Sequence, residues 1–147
     1  MTAAQETAGR AAKANGRLRR LAALGPIFRD PATIFGTWEG ATGNGTDLEP
    51  FTSPWFKTSA AGDRFFEILY DAGWVLPEFE WPRWIQGPEG QRLWADREAI
   101  GCADEEQLAK LLTALVRSDR FSEGTLAKAY DDKVLLSIVA RAENLLR

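Results

Sequence analysis

A chain of 147 residues, 45% hydrophobic and 27% charged, has the length and make-up of one globular domain, at a size where folding hides roughly 70% of the unfolded surface. It holds no histidine and one cysteine, which removes Ser-His-Asp and Cys-His catalysis, the usual nitrogen ligands of zinc, copper and haem iron, and any internal disulfide. The net charge of −3 is unevenly spread: residues 1–29 carry six Arg/Lys against Glu6, and residues 30–147 twelve against twenty Asp/Glu, so a +5 tail precedes a −8 body ill suited to gripping a phosphate backbone.

The N-terminal MTAAQETAGRAAKANGRLRR has no hydrophobic block behind a basic start, and no apolar run nears the ~20 residues of a membrane span. A cytoplasmic protein with no membrane partner is expected. Arg10, Lys13, Arg17 and Arg20 recur at helical spacing, with Ala11, Ala14, Leu18 and Ala22 on a second stripe. Residues 1–20 read as a basic arm or helix, either a solvated face or a strip that lies on RNA, DNA, an anionic lipid surface or an acidic partner. Residues 21–147 read as a single globular α domain.

Gly25-Pro26, Asp30-Pro31, Asn44-Gly45 and Glu49-Pro50 punctuate the next stretch, predicting turns and short extended pieces with a surface loop over 39–54. Ile34, Phe35 and Trp38 are its expected core anchors. A short hairpin about Asn44-Gly45 fits the turn residues, although the flanks ATG and TDL lack alternating hydrophobics. From Ser59 the pattern turns helical, with Ala61, Phe65, Ile68, Leu69 and Ala72 on one face and Gly73 as the stop.

The stretch AGWVLPEFEWPRWIQG follows at 72–87. Pro77 forbids a continuing helix, and period-two alternation sends Glu78 and Glu80 to one side and Phe79 and Trp81 to the other. Pro82 suits the start of a short helix, and Trp84 falls on the side of Trp81, so Phe79, Trp81 and Trp84 are expected to cluster. Six tryptophans able to bury ~150–250 Å² each predict that most lie inside. Arg83, with an edge of Trp81 or Trp84, is then the candidate for an exposed contact.

Leu93, Trp94 and Ile100 are expected inward side chains, and Cys102 a small buried hydrophobe. Asp104 and Gln107 form a capping box for a leucine-rich helix ending near Ser118. Ser122, with Phe121 before it and Leu126 after, has the arrangement of a hydrophobic staple, and Asp131-Asp132 of a third cap ahead of an apolar face from Val134 to Leu146. Arg117, Asp119, Arg120 and Glu123 crowd the corner between two of these helices, where they form either an ion-pair network or a grip on a phosphate or carboxylate. With no strand alternating with helix, the fold class is mainly α: a loop-rich N-terminal half, a C-terminal helical bundle and at most one short hairpin.

Three spaced elements, PIF…FGTW at 26–38, LYDAGWVLPEFEWPRW at 69–84 and LLTALVRSDRFSEGTLAKAY at 111–130, resemble a family of small uncharacterised bacterial and phage-borne proteins designated DUF6508. The resemblance covers residues 20 to 146, and Glu80 replaces the aspartate common in that family before the Trp-Pro pair. It implies no reaction, cofactor or catalytic residue.

Function is therefore an expectation from chemistry alone. The first is a non-enzymatic protein-interaction module, an inhibitor or accessory factor from a phage or mobile element acting, for example, on a host defence complex. Its partner-binding residues would be Trp81, Arg83, Trp84, Arg117 and Arg120, with no cofactor and no metal. The alternative is nucleic-acid binding through Arg10, Lys13, Arg17 and Arg20. A hydrolase built on Glu78 and Glu80 ranks third, because both acids face away from the rings that would hold a sugar.

Overall fold

The structure, a computed structural model, describes residues 16–40, 43, 45–50 and 53–147. Its described chain begins with helix α1 over residues 16–22, followed by α2 (Gly25–Arg29), strands β1 (Gly36–Glu39) and β2 (Trp55–Thr58), and helices α3 (Ala60–Asp71), α4 (Trp81–Gln86), α5 (Pro88–Ala95), α6 (Arg97–Ile100), α7 (Glu105–Phe121), α8 (Thr125–Asp131) and α9 (Val134–Leu145). It is a small, mainly α domain. None of the described helices is long and apolar enough to cross a membrane.

Helix α7 is the spine. The expected capping box is present, Gln107 N–H donating to Asp104 Oδ1 (2.8 Å) and Asp104 N–H to Gln107 Oε1 (2.9 Å). Leu108, Ala109 and the whole run Leu111–Val116 are buried, so the middle of this helix is enclosed on every side rather than along one stripe. Around it pack Leu135, Ile138, Val139 and Ala142 of α9, Leu126 and Ala129 of α8, Phe65, Ile68 and Leu69 of α3, and Leu18 and Leu21 of α1.

Leu18 is buried, so the packed body already includes the end of the basic segment. Arg10 and Lys13 lie outside the described residues.

Helix α3 ends as the glycine predicts. Gly73 takes φ +79°, which only glycine adopts at little cost, and Trp74 N–H returns to Leu69 O (2.9 Å), the six-to-one bond of a Schellman cap. At the other end Ser59 caps the helix, its Oγ accepting from Gly62 N–H.

The hairpin exists at other residues than those expected. Strands β1 and β2 pair antiparallel with Trp38 opposite Phe56, and the loop between them contains the Gly45 turn, where Gly45 N–H donates to Glu49 O (3.0 Å). Asn44 lies outside the described residues. Phe35, just before β1, is buried and meets Phe65, Phe56, Phe66 and Tyr130 at centroid distances of 5.5–6.4 Å. The other two expected anchors of this region face out: Ile34 is exposed, and Trp38 is 50% exposed.

The tryptophans correct the expectation most clearly. Only Trp74 is fully buried, Trp81 and Trp84 are half-buried, and Trp38, Trp55 and Trp94 are exposed. Leucine, isoleucine and valine from the long helices already fill the interior. Cys102 is likewise exposed rather than buried.

The last two helix starts also differ from expectation. Helix α7 runs to Phe121 instead of Ser118, and α8 begins only after Gly124, whose φ of +103° makes the corner. There is no staple: Phe121 is exposed, and Asp119 caps α8 from within α7 by accepting from Gly124 N–H (3.2 Å) and Leu126 N–H (3.0 Å). Helix α9 starts at Lys133 in the left-handed region (φ +68°) with no side-chain cap, and Asp132 instead pairs with Lys128 (2.7 Å).

Two tests follow from this packing. Thr113 is wholly buried; its hydroxyl donates to Ala109 O (2.7 Å), with Trp74 O also in reach (3.2 Å), and accepts from Leu76 N–H (3.0 Å). Thr113→Val keeps the shape and strands that amide, so urea unfolding should show a loss of about 1–3 kcal/mol with an unchanged m-value. Glu143 of α9 is held below its ordinary pKa of 4.5 chiefly by the hydrogen bond from Arg29 of α2. Because the folded-state pKa is the lower one, this stabilisation is present above the unfolded value and disappears as pH falls through the folded one. Glu143→Gln should therefore cost about 0.5 kcal/mol at neutral pH, as partly exposed pairs do, and the two unfolding curves should converge as pH falls through the lowered folded-state value.

Candidate functional site

The end of α7 gathers side chains from three elements. Residues 117, 120 and 121 share one side of the helix by their spacing. Phe121 is 84% exposed, and its ring lies 6.3 Å from that of Trp81, the first residue of α4, which packs beside α7. Arg120 donates through Nη2 to the hydroxyl of Tyr70 (2.9 Å), itself exposed on the last turn of α3. Among the described residues Arg117 makes no hydrogen bond or ion pair.

The expected ion-pair network does not form at this corner. Asp119 caps α8, and Glu123 accepts from Phe56 N–H (2.5 Å), so both carboxylates are turned to backbone amides of the protein. Arg120 is exposed and Arg117 half-buried, and neither meets a carboxylate among the described residues. Trp38 of the hairpin covers Gly124, where a Cβ would come within 2.8 Å of its ring, and so fixes the far side of the same corner.

Of the five residues expected to contact a partner, Trp81, Arg117 and Arg120 come together here. Trp84 does not join them. Its ring packs against Phe79 (5.8 Å) and its Nε1–H donates to Glu89 (3.0 Å), so the expected three-ring cluster divides, Phe79 with Trp84 and Trp81 with Phe121. Arg83 is exposed two residues after Trp81, about 200° further round α4. Sequence reasoning missed Phe121 and Tyr70 as surface residues; the signal for Phe121 was its place three residues ahead of Gly124, on the last turn of α7.

The basic stripe has a different fate. Arg17 is spent inside the structure: its guanidinium lies 4.4 Å from the Trp74 ring centroid, pairs with Glu105 of α7 and donates to Gly73 O (3.1 Å). Trp74 Nε1–H returns a bond to Arg17 O (3.2 Å). Arg20 sits 3.9 Å from Asp71. Glu78 and Glu80 are both exposed, while Phe79 and Trp81 beside them are half-buried. Among the described residues no cluster of three or more Cys, Asp or Glu is placed to hold a metal ion.

A wide acidic recess of about 550 Å³ lies beyond Gly124, walled by Trp38, Glu123, Asp131 and Asp132, with Lys128 tied to Asp132 across it. A smaller cleft of about 240 Å³ between α5, α7, α8 and α9 has an apolar floor of Leu111, Leu115, Ala129 and Val134. Its size suits one or two apolar side chains, below the ~300 Å³ at which small-molecule sites begin.

If Arg17 serves the fold rather than a ligand, Arg17→Ala should lower stability by about 1–3 kcal/mol in chemical denaturation, through lost packing on Trp74 and the orphaned Glu105. No curated protein and no solved structure matches the chain. A family model matches residues 14–147, starting near the first described turn of α1 and spanning the aromatic and arginine surface. The chain belongs to this family of unknown function, DUF6508.

Proposed function

We propose that this protein is a non-enzymatic interaction module, an inhibitor or accessory factor that binds another protein through the end of α7. The reading is carried by the Trp81–Phe121 ring pair, with Phe121 84% exposed, beside Arg117 and Arg120. A phenylalanine left in water forgoes about 1.5–3 kcal/mol of burial, and nothing within the described fold recovers it. Aromatic rings and arginine are the side chains that dominate protein–protein binding energy. The surface is presented by rigid elements: α7 is anchored through its buried middle, and its last turn is fixed by the Asp119 cap and the hairpin.

Phe121→Ser and Arg120→Ala should each leave the melting temperature almost unchanged and weaken partner binding by about 2 kcal/mol, roughly thirtyfold. The measurement is affinity capture from the cells of origin with wild type and each variant side by side, followed by titration of the captured protein. Capture of the same proteins at the same affinity by all three would reject this surface. A large melting loss with binding intact would mark both residues as structural.

A further inference from the structure

Building on that reading, we infer that the partner presents an acidic segment carrying an apolar side chain, which lies along α7 with its carboxylates on Arg117 and Arg120 and its apolar group on Trp81 and Phe121. The argument is charge complementarity around an apolar centre. Lys110, Arg117 and Phe121 fall on one line of α7 at intervals of seven and four residues, with Arg120 beside it. Arg117 has no hydrogen-bond or ion-pair partner among the described residues, Arg120 has only the neutral phenol of Tyr70, and Lys110 reaches Glu89 only at 4.0 Å.

The corner's own carboxylates, Asp119 and Glu123, accept from backbone amides, and the exposed Glu78 and Glu80 form no ion pair with Arg117 or Arg120. A guanidinium offers paired donors that match a carboxylate, and an arginine already positioned on a tyrosine hydroxyl loses less freedom on binding it. A nucleic acid fits less well, because residues 30–147 carry a net −8 that opposes a long run of phosphates, whereas the few carboxylates of a short segment meet the local arginines.

The test is selection from a displayed random peptide library on the immobilised full chain, followed by titration of the enriched peptides in solution. Enriched sequences should be rich in Asp and Glu around an aromatic or aliphatic residue, bind more weakly as salt rises, and lose about tenfold or more in affinity to Arg117→Gln/Arg120→Gln. Selection on Arg117→Glu/Arg120→Glu should shift the enriched set toward Lys and Arg. Neutral or basic peptides on wild type that are lost with Phe121→Ser would overturn the acidic partner and leave the surface reading standing. Failure to enrich any peptide that depends on Phe121 or Trp81 would overturn both. A single-stranded oligonucleotide bound through Arg117 and Arg120, whether or not Phe121→Ser weakens it, would also overturn the inference, and would assign the surface to nucleic acid.

Discussion

Everything in this fold converges on the turn that follows α3. Once glycine lets the chain reverse, Trp74 is driven beneath α1, and each of its polar groups finds a partner on a different element. Its amide closes α3, its indole N–H holds the α1 backbone at Arg17, and its carbonyl lies against the buried hydroxyl of Thr113 in α7. Arg17 then covers the ring and ties itself to Glu105 at the start of α7. One residue thereby joins three helices far apart in sequence, in a dry setting where an unmet hydrogen bond is expensive. The junction anchors the buried middle of α7 through Thr113, while the Asp119 cap and the hairpin hold its end, where the aromatic and arginine surface lies.

The distribution of rings follows from which residues reach the interior first. Helices α3, α7 and α9 supply enough leucine, isoleucine and valine to enclose the spine, and Phe35 gathers the aromatic residues of α3, β2 and α8 into a second cluster, which Phe28 of α2 joins through Phe65 and Tyr130. Little space remains for Trp38, Trp55 and Trp94. Burial arguments based on average ring area treat every tryptophan as equal, whereas the fold grants a place only where backbone geometry delivers one. Trp74 has the Schellman turn to bring it inward; Trp38, on a two-stranded hairpin, packs edge-on against Phe56 and covers the flat corner at Gly124.

Local chemistry was legible wherever it was self-contained. Ser59, Gly73 and the Asp104–Gln107 box announce helix ends because the bonds they make lie within a few residues, and the 3.6-residue periodicity marks α3, α7 and α9. The corner between α7 and α8 was misread because its decisive interactions are not adjacent in the way a cap motif assumes. Asp119 caps forward from inside the preceding helix, and Glu123 reaches a strand 67 residues away, so Ser122 never becomes a cap and Phe121 never folds back. Half of the candidate surface was nevertheless visible as Trp81, Arg117 and Arg120. What sequence could not supply is the contact between α4 and α7 that unites them, nor the tertiary role that takes Arg17 out of the basic stripe.

The bond from Phe56 N–H to Glu123 has a consequence for the protein's behaviour among its own copies. A two-stranded ribbon with WFKT on one strand is short, aromatic and open-edged, the kind of template on which another chain can add a strand. The Phe56 amide points away from β1, and a carboxylate from the α7–α8 corner already occupies it. A strand arriving there would have to displace a charge-assisted bond and meet a negative charge. The corner that carries the proposed binding surface thus also occupies the adjacent strand edge, so that exposed aromatic side chains sit beside an amide that no incoming strand can pair with freely.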